Sequence, residues 1–274
     1  MYPDEFHVVS RRKSVKIGKK VLILRNNSDI SWKGTDFDRN GVLRRVRAAV
    51  EELRESSYKK VIFDGLKQSL SLLNFDGFSE FICYGLGQFR ENSSSKYQLA
   101  LLVTLQEHYK CKIHIYDPKF SEDELEILKT LGLEVIVENE RGKRRVNDKV
   151  TLVYLPHCPK QLTNNFLYAN WGLELNNCVL LSNSWWELYH SQSQKELLAS
   201  AAYVLRIHPY VTEIPLRNTF KYVEAFSSTN IHIFTKEKLT TVPANFWDDR
   251  EEPKYSKELV LDSTEEKLRN LAVT

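Results

Sequence analysis

The residues whose types could do chemistry gather where apolar runs end. In FICYGLGQF (residues 81–89) an apolar run breaks at Gly85 and Gly87, whose missing side chains let a backbone approach a ligand closely. Asp117 closes the run KIHIYDP, and a carboxylate at a strand end can accept hydrogen bonds from ribose hydroxyls. PHCP supplies His157 and Cys158, and LSNS supplies Asn183. His157 and Cys158 are poor partners for each other, because adjacent residues on an extended chain point to opposite sides. That leaves His157 and Asn183 as the candidate catalytic groups. Gly85, Gly87 and Asp117 are the candidate cofactor-binding residues, with His157 and Cys158 beside them. The competing reading makes the glycines a tight turn in a core and His157 a hydrogen-bonded structural histidine.

The spacing narrows the ligand. A third glycine is missing, and RENSSS (90–95) separates the glycine turn from the following helix. Asp117 lies thirty-two residues past Gly85, beyond the ~20 of a dinucleotide fingerprint. A diphosphate grip is therefore not expected, while a nucleoside cradle stays open beside the structural turn, and S-adenosylmethionine is a cofactor such a cradle could take. The serines at 93–95 could offer donors to an anion or simply cap a helix. No metal site is expected, since His114 and His232 sit inside predicted strands without ligand spacing. His208 and Glu213 share the Pro-bounded loop HPYVTEIP (208–215), and Trp171, Trp185 and Trp186 read as packing anchors.

Those residues need a scaffold, and the apolar periodicity describes one. Residues 41–56 carry Val42, Leu43, Val46, Ala49, Val50 and Leu53 on one helical stripe, a helix laid on a core. Residues 59–75 lean towards helix in their second half. Buried strands are expected at EFICYGL, KIHIYDP (112–118), LEVIVEN, VTLVYLP (150–156) and NCVLLSN (177–183). Helices alternate with them at 95–110, 121–132, 160–171 and 193–206, three opened by capping boxes: Ser95 with Gln98, Ser121 with Glu124, Ser193 with Glu196. The alternation demands a Rossmann-like parallel α/β sheet covered on both faces. TFKYVEAF (219–226) and NIHIFT (230–235) are too close for a helical crossover and should form a C-terminal antiparallel hairpin. Five parallel strands ending in a hairpin resemble the sheet of methyltransferases that use S-adenosylmethionine.

Composition sets the outer limits. The 274 residues are 42% hydrophobic and 11% aromatic, enough for a large core. No apolar run is long enough to span a membrane. The first twenty residues lack the apolar middle of a signal peptide and carry Asp4 and Glu5. Cys83, Cys111, Cys158 and Cys178 show no C-x-x-C and read as reduced thiols. A cytoplasmic and nuclear protein is expected. The net charge of +3 conceals +7 over residues 1–60 and −4 over the rest. The knot RRKSVKIGKK could be a nuclear address or a weak anion-binding arm, but it is too short and too poor in aromatics to define a nucleic-acid protein. Three parts are expected: a basic segment over 1–35, one α/β domain over 36–247, and a charged tail over 248–274 with a short helix at 264–272.

Several motifs in order resemble one family. CYGLGQF, YQLALL, YDP, LPHCP, NNFLYANW, LSNS and AFSSTNIHIF, spanning residues 79–235, resemble the Sensitivity to Red Light Reduced family of eukaryotic proteins. The tail-bearing form resembles its fungal branch, whose member is named for resistance to the microtubule drug benomyl. The resemblance implies a regulatory protein, linked in plants to light signalling and circadian clock input, in animals to haem metabolism and in fungi to microtubule-related processes. It brings no settled enzymatic activity and so no catalytic residues. It places Gly85, Gly87, Asp117, Pro156, His157, Cys158, Asn170 and Asn183 in family motifs. The expected partners are a protein and a nucleoside-type small molecule, with neither nucleic acid nor membrane. A methyltransferase and a nucleic-acid binder acting through the basic segment are the alternatives.

Overall fold

The computed structural model describes residues 38–255. The basic segment 1–35 and the short helix expected at 264–272 lie outside the described residues. Seven strands form one sheet: β1 (Glu80–Tyr84), β2 (Lys112–Tyr116), β3 (Glu134–Val135), β4 (Thr151–Leu155), β5 (Cys178–Asn183), β6 (Thr212–Pro215) and β7 (Thr229–Ile233). Their spatial order is β3-β2-β1-β4-β5-β7-β6. β1 runs parallel to β2 and β4, with Ile82 opposite His114 and Val153. β5 is parallel to β4, and β7 is antiparallel to both β5 and β6. β6 therefore points the same way as β5, and β7 alone is reversed. This is the Rossmann-like, methyltransferase-like α/β sheet, and its order turns back between β1 and β4.

The central strands read as continuous apolar runs because both faces are covered. On one face Ile82, Tyr84, Val153, Leu155 and Leu180 pack into a cluster with Phe166, Leu167, Val204 and Ile207. Those last four come from α5 (Lys160–Ala169) and α7 (Gln194–Ile207). On the other, Phe81, Cys83, Ile113, Leu152 and Tyr154 are buried with the opposite alternation. There α1 (Arg39–Arg54) buries its Val42, Val46, Val50 and Leu53 stripe and packs on α3 (Ser93–Tyr109). The ambiguous 59–75 stretch is a full helix, α2 (Ser57–Leu73), lying on β6 and β7. A Cβ at its Gly65 would come within 2.8 Å of the Leu216 methyl and 3.0 Å of that of Ile231, so the glycine lets the helix lie close unless those side-chain ends shift. Each large side chain buried this way contributes about 1.5–3 kcal/mol. None of the described helices is long and apolar enough to cross a membrane.

Three expectations need correction. The hairpin uses Thr212–Pro215, not 219–226, as its first strand; Ile214 pairs with Ile231. Residues 219–226 form a loop with a 3-10 turn at Val223–Ala225, because their aromatic rings pack onto helices. Phe220 and Phe226 lie on Tyr58 of α2, and Tyr222 stacks on Tyr97 of α3 at 4.5 Å. The third strand shrinks to two residues. The box at Ser95 is absent: Asn92 caps α3 by accepting from the Ser95 N–H, and the Gln98 amide turns elsewhere. The boxes at Ser121, opening α4 (Glu122–Thr130), and at Ser193 are both present.

Candidate functional site

Ligands bind α/β sheets outside the carboxyl ends of the strands, where the order reverses. Here β1 leads into Gly85 and Gly87, both with left-handed φ values of +71° and +76°. Asp117, one residue past β2, is what shapes that turn. One of its oxygens accepts the Gly87 N–H at 2.7 Å and the other accepts the Lys119 N–H at 2.7 Å. A cavity of about 310 Å³ opens here, and Gly85, Gly87, Asp117, His157 and Cys158 all line it, with Tyr116. Asn183 lies instead in a neighbouring cavity of about 350 Å³, and Cys158 and Pro159 stand between the two.

The thiol of Cys158 sits against the glycine turn. A Cβ on Gly85 would fall 2.4 Å from its sulfur, so the absent side chain makes room for Cys158. The sulfur donates to the Tyr84 carbonyl at 3.1 Å. Burial pushes the thiol pKa well up, and Asp117 adds to this. A group held as a neutral thiol is no nucleophile.

His157 is committed too. The chain is not extended here: His157 has φ +51°, which turns it away from the strand line. The Gln98 amide nitrogen donates to its Nδ1 at 3.3 Å and to the Ala225 carbonyl at 2.9 Å. With Nδ1 accepting, Nε2 carries the proton and donates to the Ser227 carbonyl at 3.2 Å. One imidazole thus joins three motifs, LPHCP, YQLALL and AFSST. His157→Ala is expected to cost about 1–2 kcal/mol, from the two lost hydrogen bonds. Urea unfolding measures this, and a loss below about 0.3 kcal/mol would remove the latch.

The charged stretch ERGKRR supplies Arg141 and Gly142 to the wall, and Glu140 and Arg144 brace it from behind Tyr84. Tyr84 donates its hydroxyl to Glu140, and Arg144 forks the same carboxylate from Nε at 2.8 Å and a terminal nitrogen at 2.7 Å. NNFLYANW braces the same wall and the neighbouring helix α7. Asn165 donates to the Arg141 carbonyl at 2.8 Å and accepts from Tyr255 at 2.8 Å. Asn164 accepts the Tyr203 N–H at 2.7 Å, replacing a helical bond lost where α7 breaks at Ala201. Asn170 accepts the Val146 N–H at 2.7 Å.

His208 and Glu213 part company. His208 stacks on Tyr189 at 4.0 Å, and burial lowers its pKa. Glu213 points into the sheet edge, where it accepts from Ser184 Oγ (2.8 Å), Asn230 Nδ2 (2.7 Å) and the N–H groups of Trp185 (3.1 Å) and Trp186 (2.9 Å). Its carboxylate thereby fixes the start of α6 (Trp185–Ser191). His232 is fully buried, stacks on Trp185 at 4.6 Å and meets Ser182 Oγ at 3.3 Å. Trp171 and Trp185 are packing anchors; Trp186 is not, being 61% exposed on the outer side of α6 beside His190. Among the described residues no group of three or more His, Cys, Asp or Glu could hold a metal ion.

Comparison with known proteins gives this geometry a relation. The chain is 28% identical over 275 residues to an SRR1-like protein of Drosophila melanogaster, covering 98% of this chain and 96% of that one. An SRR1-like protein of Mus musculus is 30% identical over 214 residues, 65% of this chain and 82% of the other. Protein SENSITIVITY TO RED LIGHT REDUCED 1 of Arabidopsis thaliana is 24% identical over 222 residues, 74% of this chain and 80% of that protein. Among solved structures, an MtNAS mutant bound to S-adenosylmethionine matches with 14% identity and a TM-score of 0.38, over 72% of this chain and 74% of that one. Human N-acetylserotonin methyltransferase matches with 12% identity and a TM-score of 0.31, over 72% and 56% of the two chains. The sequence profile of the SRR1 domain matches residues 50–233, the span that holds all seven strands and both cavities' linings, and the chain belongs to the SRR1 domain family.

Proposed function

We propose that this protein is a regulatory member of its family that binds a nucleoside-type ligand in the cavity at the carboxyl edge. The observation that carries this reading is the meeting of five residues from three strand ends around one cavity. A glycine turn is held open by Asp117 on the side where the sheet order reverses. The cavity suits recognition better than chemistry, because His157 is tied by both ring nitrogens and Cys158 is held as a neutral thiol. Occupancy would be read by a protein partner, in the cytoplasm and nucleus, in a signalling or microtubule-related process of the kind the family serves. A second reading, an S-adenosylmethionine-dependent methyltransferase, draws on the adjoining cavity, which would seat an acceptor beside Asn183.

A thermal-shift series with S-adenosylmethionine, S-adenosylhomocysteine, NAD, ATP and haem tests both. A ligand at about a hundred times its Kd adds ~2.7 kcal/mol, which is roughly 5–10 °C for a chain of this size. The adenosyl compounds are expected to produce that shift. Lys119→Trp is expected to abolish it, since it places a ring at the mouth while keeping the backbone bond to Asp117. No shift with any of the five compounds would sink the nucleoside reading. Formation of S-adenosylhomocysteine from the bound donor would favour the methyltransferase.

A further inference from the structure

The cavity beside Asn183 has a chemistry of its own. Lys160 lines it, and no Asp or Glu is among its described lining residues. The Lys160 ammonium is held at the rim by the Gln192 side-chain oxygen. α5 begins in the same wall, directly after Pro159, and no side chain caps it. Its first amides therefore present a partial positive charge to the cavity. Gln161 and Thr163, on the first turn of α5, are only 4% and 6% exposed and line the cavity. Neither side chain makes a hydrogen bond to any described residue. Their polar atoms are not among those sealed from water without a partner, so they are free to meet a ligand in the cavity they line. Asn183 donates to the Cys158 carbonyl at 3.1 Å, while its own side-chain oxygen is buried without a donor. Leu155, Trp185 and Leu188 supply the apolar remainder.

We infer that this cavity binds a small carboxylic acid bearing an amine or hydroxyl on the adjoining carbon. The carboxylate meets the N-terminus of α5, Lys160 and the donors of Gln161 and Thr163. The N–H or O–H of the ligand supplies the donor that the Asn183 oxygen lacks. Its alkyl group rests on Leu155, Trp185 and Leu188. A volume of about 350 Å³ suits a molecule of this size. The inference does not depend on what occupies the glycine-lined cavity.

Three acids of one carbon skeleton test it: leucine, 2-hydroxy-4-methylpentanoate and 4-methylpentanoate, with inorganic phosphate as a fourth arm. Each is titrated into the full-length 15N-labelled protein, and the side-chain amide signals of Gln161 and Asn183 are followed. Leucine and the hydroxy acid are expected to shift both signals and to bind roughly 5–10-fold more tightly than 4-methylpentanoate, the worth of one buried hydrogen bond. Lys160→Gln and Gln161→Leu are each expected to weaken binding by about 5-fold or more at unchanged melting temperature. Silence from all arms at about 10 mM overturns the site, as does binding unaltered by both substitutions. Equal binding of 4-methylpentanoate or phosphate overturns the assigned ligand class. S-adenosylmethionine is followed separately at the Asp117 and Lys119 backbone signals, so failure of either reading leaves the other standing.

Discussion

Glu213→Ala is expected to destabilise the protein by about 3–5 kcal/mol, the cost of stripping one partner from a buried charged network. Four donors converge on this carboxylate, two of them backbone amides at the start of α6. Removing it leaves all four facing a gap, with His232 beside them and no water-exposed route for the ring. The pH dependence has a definite sign. Burial raises the Glu213 pKa, but the His232 ring 3.5 Å away and the bonds from Asn230 and Ser184 outweigh it and bring the value to about 2, from an ordinary 4.5. A lowered carboxylate pKa stabilises the folded state above the unfolded value and loses that contribution as pH falls through the folded one. The window is therefore pH 4.5 down to about 2, and the contribution is about 3 kcal/mol. Urea unfolding of wild type and Glu213→Gln at pH 7 and pH 3 measures it. If the two proteins lose stability in parallel on acidification, Glu213 is not the group responsible.

This network shows where the sequence stops being legible. β1, β4 and β5 could be placed because both their faces are buried, which leaves apolar runs that need no knowledge of their neighbours. β6 is four residues at the sheet edge, TEIP, half-buried and ending in a proline, and it looks like a loop until β7 is known to lie beside it. TFKYVEAF has the aromatic and β-branched content of a strand, yet its rings are used by Tyr58 and Tyr97, so tertiary packing overrides local preference. The same division holds at the site. Gly85, Asp117 and His157 stand out because strand ends in an α/β sheet are known addresses. Gln98, Glu140 and Asn165 do not, since each acts on a residue between 24 and 127 positions away, as with Gln98 and Ala225 or Asn165 and Arg141. His157 and Cys158 were expected to diverge on an extended chain; the left-handed turn at His157 is invisible to residue type and sends each to its own partner.

Gly85→Ala is expected to cost about 3 kcal/mol in the wild-type background and only about 1–2 in Cys158→Ala. Two terms add in the first case. A φ of +71° strains any residue with a side chain. The new methyl would also stand 2.4 Å from the Cys158 sulfur, which packing and its bond to the Tyr84 carbonyl hold in place. In Cys158→Ala the nearest atom of residue 158 is its Cβ at 3.8 Å, an ordinary contact, so only the backbone strain remains. The double-mutant cycle should therefore give a coupling of about 1–2 kcal/mol. Strict additivity would mean that the sulfur moves aside freely and that the glycine serves the turn alone. The cycle also bears on function. A bulky residue at 85 would abolish ligand binding simply by displacing Cys158, so lost binding in Gly85→Val says nothing of where the ligand lies. The double variant keeps the packing and adds one methyl at the turn. If S-adenosylmethionine still binds it with wild-type affinity, the glycine exists for Cys158; if binding is lost while the fold persists, the ligand lies against the turn itself.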